Sequence, residues 1–107
     1  LGSYIGNAST TADNKINGNN YLACITTAEN ALKDYPYTTM REEISILLLR
    51  AKYKLGTESV EEKKEERMRD AIDEYYAFKN EFPESKYMKE VESIYKNASK
   101  YVKELND

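Results

Sequence analysis

The side chains that most often do covalent or metal chemistry are scarce in this chain of 107 residues. It contains a single cysteine, Cys24, and no histidine. The usual zinc sites and the triads with an imidazole base therefore lack their side chains. Cys24 lies between Ala23 and Ile25, and a thiol in apolar surroundings keeps its proton. We expect Cys24 to be a buried, unreactive residue, and a lone cysteine forms no disulfide within its own chain.

Four glutamates are grouped in the most charged stretch of the chain. They are Glu61, Glu62, Glu65 and Glu66. Dinuclear carboxylate metal sites in helical bundles also use Glu-x-x-His pairs, which a chain without histidine cannot supply. We interpret the four glutamates as the solvated face of a helix. The sequence thus predicts no catalytic residue, no cofactor and no metal ligand, so we do not expect an enzyme.

The charge balance argues against a nucleic-acid-binding protein, and the lengths of the apolar runs argue against a membrane-spanning helix. The chain has 16 basic and 19 acidic residues, whereas nucleic-acid-binding domains are strongly basic. The basic residues near position 65 are interleaved with acidic ones, and no apolar run approaches the roughly 18 residues that cross a bilayer. Half-exposed aromatic and arginine side chains are typical of protein interfaces. We therefore predict a protein-contact surface that includes Tyr76, Arg67, Arg69 and Glu65.

Apolar residues at steps of three and four predict four helices, over residues 20–35, 38–55, 59–82 and 85–105. Pro36 and Pro83 end the first and third helices, because proline lacks an amide donor. We expect Thr39 and Ser59 to open the second and third helices as capping boxes and Ser85 to cap the fourth. Gly56 is predicted as the C-cap of the second helix. The predicted apolar stripes include Tyr21, Tyr35, Leu47, Leu48, Ile72, Tyr75, Tyr87, Ile94 and Tyr101.

A helix–turn–helix unit occurs twice in the sequence. Pro36 and Pro83 are 47 residues apart, and the same offset aligns Tyr35 with Phe82, Thr38 with Ser85, Ile44 with Val91, Leu47 with Ile94 and Ala51 with Ala98. Repetition of a break and of an apolar pattern predicts a helical-hairpin array. The expected fold is all-α and tetratricopeptide-like, with hairpins over residues 20–56 and 67–107 and a charged insert over 57–66. Residues 1–19 are predicted to hold the end of a preceding helix and a polar loop.

The sequences of the two units resemble the repeats of one protein family. Residues 69–78 read RDAIDEYYAF, residues 81–87 read EFPESKY, and residues 30–38 read NALKDYPYT. This pattern resembles the repeats of BamD-like outer-membrane assembly lipoproteins, in the versions of Bacteroides-type bacteria, over residues 21–105. The resemblance implies a non-catalytic scaffold at the periplasmic face of the bacterial outer membrane, with the large β-barrel assembly protein as partner. It also implies membrane attachment only through a lipid anchor that this sequence does not include.

Two features depart from the family pattern. Cys24 does not match the lipid-bearing cysteine, and the Asn- and Thr-rich stretch 7–20 has no counterpart in it. The chain begins with Leu1, and we interpret it as a C-terminal piece of a longer protein. Two other functions therefore stay open: a general tetratricopeptide adaptor of the cell envelope, and an appendage to an enzyme. Upstream sequence would distinguish among the three.

Overall fold

A computed structural model of the chain describes residues 18–106. These residues form four helices: α1 (Gly18–Asp34), α2 (Arg41–Thr57), α3 (Glu61–Glu81) and α4 (Met88–Asn106). Residues 18–106 contain no β-strand. The predicted all-α class and the number of helices are confirmed. The expected remnant of a preceding helix and most of the polar loop lie outside the described residues, although α1 begins two residues before its predicted start.

The four helices form two stacked antiparallel hairpins, α1–α2 and α3–α4. Tyr21 at the start of α1 packs against Leu55 at the end of α2. Helix α2 also packs along α3 and touches α4 at a few positions, so it is the central helix of the stack. This is the tetratricopeptide-like arrangement that the repeat predicts.

The turn inside each hairpin repeats at the offset of 47 residues. Four backbone N–H to carbonyl hydrogen bonds recur: Tyr35 to Ala31 (2.9 Å) and Phe82 to Phe78 (2.8 Å), Thr38 to Tyr35 and Ser85 to Phe82 (both 3.1 Å), Arg41 to Thr38 (3.2 Å) and Met88 to Ser85 (3.1 Å), and Ile44 to Met40 and Val91 to Tyr87 (both 2.9 Å). The side-chain oxygens of Thr38 and Ser85 each accept the amide N–H two residues later. The sequence repeat is therefore a repeat of backbone structure.

This turn corrects the predicted starts of α2 and α4. Both helices begin three residues later than predicted, because Thr38 and Ser85 close a turn rather than opening the helix. The residues at the N-cap positions of α2 and α3 are Met40 and Val60, and neither makes a side-chain capping bond. Thr39 and Ser59 do not cap their helices as capping boxes. Ser59 donates its hydroxyl to the Leu55 carbonyl instead.

Helix α2 buries two faces rather than the single predicted stripe. Ile44, Leu48 and Ala51 pack with Cys24 and Ala28 of α1. Ile46 and Leu49, which the sequence analysis missed, pack with the buried residues of α3 and α4: Tyr75, Phe78, Val91 and Ile94. A helix covered from both sides shows no single amphipathic stripe, because apolar residues surround most of its circumference.

Three further core predictions need correction. Tyr35 is 69% exposed, because it lies just past the end of α1 and points away from the stack. Ile72 and Leu47 are only partly buried.

Gly56 is not a C-cap but lies within the last turn of α2 and is buried. A Cβ on Gly56 would lie 3.0 Å from the Met68 sulfur, so this glycine lets α2 and α3 approach closely.

Candidate protein-binding groove

An open groove of about 870 Å³ runs between α1 and α3, the first helices of the two repeats. Leu55 of α2 contributes to its floor, and Leu22 and Ile25 of α1 form one wall. Leu22 is 42% exposed although it is apolar. The α3 wall is charged and is formed by Glu62, Lys63, Glu65, Glu66, Arg67, Arg69, Asp70 and Asp73. An apolar floor beside a charged wall suits a protein segment with mixed side chains.

Three of the four predicted contact residues lie in this groove. Glu65 and Arg69, which are four residues apart on α3, form an ion pair with 3.1 Å between carboxylate and guanidinium. Arg67 donates a hydrogen bond to the Ser59 hydroxyl over 2.7 Å, which holds the α2–α3 turn against α3. Both arginines therefore already have partners within the chain. A role in partner contact stays a prediction for all three.

The fourth predicted contact residue, Tyr76, lies on the side of α3 that faces α4. Its ring contacts those of Tyr75 and Tyr95, with centroids 5.0 and 5.6 Å away, and its hydroxyl lies 3.1 Å from that of Tyr95. Tyr76 is 53% exposed. The structure therefore does not bring Tyr76 together with the groove residues, because its ring makes edge contacts with Tyr75 and Tyr95 where α3 meets α4.

The tyrosine cluster of Tyr75, Tyr76 and Tyr95 is fixed by charged neighbours. Tyr75 and Tyr95 are stacked, with centroids 4.3 Å apart. The Tyr75 hydroxyl donates to the Glu92 carboxylate over 2.9 Å, and Lys79 approaches both groups. Burial and the bond to Glu92 raise the pKa of Tyr75, although Lys79 opposes the shift. The hydrogen bonds from Tyr75 and Lys79 lower the pKa of Glu92.

A buried lysine joins three helices beside the groove. Lys52 of α2 is 8% exposed and its ammonium lies 3.0 Å from Glu74, 3.6 Å from Glu29 and 3.7 Å from Asp70. Burial opposes the charge of Lys52, but the hydrogen bond to Glu74 and the attraction of all three carboxylates raise its pKa overall. The cluster therefore bridges α1 and α3 beside the groove, which Asp70 also lines.

Sequence reasoning missed Lys52 and its partners. A signal was present, because Lys52 lies four residues after Leu48 and therefore on the same face of a helix whose core residues were identified. A lysine on an apolar face needs carboxylates from neighbouring helices. The neighbours themselves follow only from the packing of α1 and α3 on α2.

Cys24 is buried, as predicted, with 1% of its surface exposed. Burial raises the pKa of its thiol to about 11, so the neutral thiol is the form present near neutral pH. No group of three or more acidic, cysteine or histidine side chains within residues 18–106 is arranged to hold a metal ion. In the described part of the chain, no helix is long and apolar enough to cross a membrane.

Neither a family model nor a curated protein sequence matches this chain. The fold and the groove define an all-α protein of two helical-hairpin repeats. The similarity to BamD-like lipoproteins stays a prediction from the amino-acid sequences of the two repeats.

Proposed function

We propose that this chain is a non-catalytic scaffold that binds another protein in the groove between α1 and α3. The observation that carries the proposal is this groove, because the repeat sets the first helices of two hairpins side by side. Stacked hairpins generally create concave surfaces of this kind, and such surfaces are used for binding. The exposed Leu22 and the partly buried Ile25 in one wall give the groove an apolar surface that a partner can cover.

The charges of the groove favour recognition over catalysis. Glu65 and Arg69 are paired with each other, and Arg67 is bonded to Ser59. Arginines that are held in place lose little side-chain freedom when a partner binds, which lowers the entropic cost of association. The groove therefore offers a preformed surface rather than reactive groups.

The resemblance of the two repeats to BamD-like lipoproteins suggests a particular setting. In that setting the chain is part of the machinery that assembles β-barrel proteins at the periplasmic face of the outer membrane. The large β-barrel assembly protein would then be the partner. A general tetratricopeptide adaptor of the cell envelope is the alternative, and it would use the same groove for other partners.

Photo-crosslinking in the native envelope tests both levels of the proposal. A photoreactive residue at position 22 reports on the groove, and one at the exposed position 97 on α4 is the control. We expect a discrete adduct with a protein from position 22 and none from position 97. An adduct with the large β-barrel assembly protein supports the assembly scaffold, whereas an adduct with another envelope protein supports the general adaptor.

A matched pair of variants measures the contribution of the groove to binding. Leu22→Ser removes an exposed apolar side chain in the groove, and Val60→Ser removes one that does not line it. We expect Leu22→Ser to weaken recovery of the partner and Val60→Ser to leave it unchanged. Equal recovery with both variants, or adducts from both crosslinking positions alike, would refute binding through the groove.

A further inference from the structure

The outward face of α4 carries four lysines, which we call the lysine row: Lys89, Lys96, Lys100 and Lys103. All four are exposed. Their spacings of seven, four and three residues keep them on one side of the helix. At 1.5 Å per residue, the row extends over about 21 Å. It is a linear basic feature on a chain whose net charge is −3.

The charge of the row is not neutralised within the described residues. The ion pairs of residues 18–106 involve other arginines and lysines. Glu92 lies within one helical turn of Lys89 and Lys96, but it accepts the Tyr75 hydroxyl and pairs with Lys79. Glu104 is exposed beside the end of the row and forms no ion pair with it. The row therefore presents a net positive charge to solvent.

The composition of this face distinguishes between kinds of anionic partner. Protein interfaces are depleted in lysine and depend on aromatic or arginine anchors, and the other exposed residues along the row include Ser93 and Asn97. Arginine is also preferred where phosphates are held at fixed positions, because its planar group binds them bidentately. Lysine is a mobile point charge that needs no fixed geometry. It suits a fluid, planar array of charges.

From this we infer that the lysine row docks α4 onto an anionic phospholipid surface. The face is convex and belongs to one helix, so a flat bilayer can reach all four ammonium groups together. Helix α4 contributes no residue to the groove between α1 and α3. Docking through the row therefore leaves the groove uncovered, and a membrane and a protein partner can be bound at once.

The size of the effect follows from general membrane electrostatics. Each lysine near an anionic bilayer raises the partition coefficient about fivefold, so four lysines raise it by roughly several hundredfold at low ionic strength. Salt screens this attraction over about one Debye length, which is near 10 Å at 0.1 M. The row thus orients the protein on a surface, and its contribution falls steeply with added salt.

Co-sedimentation of the full chain with vesicles tests the inference. The probes are vesicles rich in phosphatidylglycerol and vesicles of phosphatidylcholine alone. The test variant is Lys96→Glu/Lys100→Glu, and the control is Lys33→Glu/Lys54→Glu, which changes the net charge equally at exposed lysines on α1 and α2. Circular dichroism confirms that both variants keep their helices.

We expect the wild type to bind phosphatidylglycerol vesicles at low salt and to ignore phosphatidylcholine. The α4 variant should bind about thirtyfold more weakly or worse, and the control should retain most of its binding. Equal losses in both variants would show a general charge effect and overturn the inference. It is also overturned if the wild type binds both kinds of vesicle alike, binds neither, or binds polyglutamate through the row but not the anionic vesicles.

Discussion

Lys52 of α2 donates a hydrogen bond to Glu74 of α3 over 3.0 Å while only 8% of Lys52 is exposed. This bond lies where the two hairpins meet, and Glu29 of α1 approaches the same ammonium. One charge on the central helix therefore connects both first helices of the repeats. These contacts bridge α1 and α3, the two helices that form the walls of the groove.

Removal of Glu74 should destabilise the fold. In Glu74→Ala, Lys52 keeps two carboxylates at 3.6 and 3.7 Å but loses its hydrogen-bond partner, so we expect a cost of about 1–3 kcal/mol. Asp73→Ala is the matched control, because Asp73 lies on the exposed side of the same helix and should change stability by no more than about 0.5 kcal/mol. Urea denaturation measures both, and similar values for the two would mean that Lys52 does not depend on Glu74.

The two faces of α2 should be equally important for stability. Leu48 packs towards α1 and Leu49 towards α3 and α4, with 3% and 0% of their surfaces exposed. We expect Leu48→Ala and Leu49→Ala each to cost about 2–5 kcal/mol, the range for buried leucines. Tyr37, which is 97% exposed, supplies the control substitution to Ala. A small loss for Leu49→Ala, with a large one for Leu48→Ala, would show that the second hairpin does not pack as described.

These two leucines show what a single sequence can and cannot predict. Leu48 follows from the apolar stripe of its own helix, and the positions of Pro36 and Pro83 predict both hairpin turns. Leu49 lies on the other face of α2, and its burial depends on α3 and α4 arriving there. The apolar residues of a helix show a clear periodicity only when neighbouring helices cover one side of it.

The candidate site divides in the same way. Glu65 and Arg69 are four residues apart on one helix, so their ion pair could be predicted from spacing alone. Tyr76 follows Arg69 by seven residues and would be placed on the same side of the helix by spacing alone. In the structure it contacts Tyr95 of α4, and this contact depends on how α3 packs on α4. The apolar wall of the groove comes from α1, and Ile25 in that wall precedes Glu62, the first residue of the charged wall, by 37 residues. Its position required the stacking of the hairpins.

Cys24 should make the stability of the protein fall at high pH. The pKa of its thiol is about 11 in the folded state against an ordinary value of 9.0, so the folded state holds the proton more tightly than the unfolded state. The stabilisation is fully present below pH 9 and is lost as the pH rises towards 11, by up to about 3 kcal/mol. Other groups titrate in this range, so the unfolding free energy is compared with that of Cys24→Ala.

The wild type should lose more stability than Cys24→Ala between pH 9 and pH 11. Alkylation gives a second measurement, because a buried neutral thiol reacts slowly with iodoacetamide and the reaction should become fast only in denaturant. Rapid alkylation of the native protein at neutral pH, together with parallel stability curves for the two proteins, would contradict the burial of Cys24.

Gly56 and Met68 should show a strong energetic coupling. A Cβ at position 56 would lie 3.0 Å from the Met68 sulfur. In the wild type, Gly56→Ala should therefore have two opposite effects on stability. The alanine gains helix propensity of about 1 kcal/mol, but the overpacking against Met68 costs about 1–3 kcal/mol. In a Met68→Ala background the sulfur is gone and the same substitution should stabilise. A double-mutant cycle should give a coupling of about 1 kcal/mol or more. Additive effects would place the two helices further apart.

The repeated turn offers an internal comparison between Thr38 and Ser85. Each side-chain oxygen accepts an amide N–H two residues later, over 3.2 and 3.0 Å. Ser85 also donates its hydroxyl to Glu42 of α2 over 2.7 Å, a charge-assisted bond that joins the two hairpins. Thr38 has no such second bond among the described contacts. Ser85 therefore makes one more hydrogen bond in the second repeat than Thr38 makes at the equivalent position of the first.

We expect Ser85→Ala to cost about 1–2 kcal/mol and Thr38→Ala about 0.5 kcal/mol, since the first loses a turn bond and a bond to a carboxylate and the second only a turn bond. Glu42→Ala identifies the source of the difference. In its background Ser85→Ala should cost no more than Thr38→Ala, because the bond between the hairpins is already lost. Thermal and chemical denaturation of the three single variants and of the double mutant Glu42→Ala/Ser85→Ala measure this. If Ser85→Ala keeps its full cost without Glu42, the contact between the hairpins at this position does not contribute to stability.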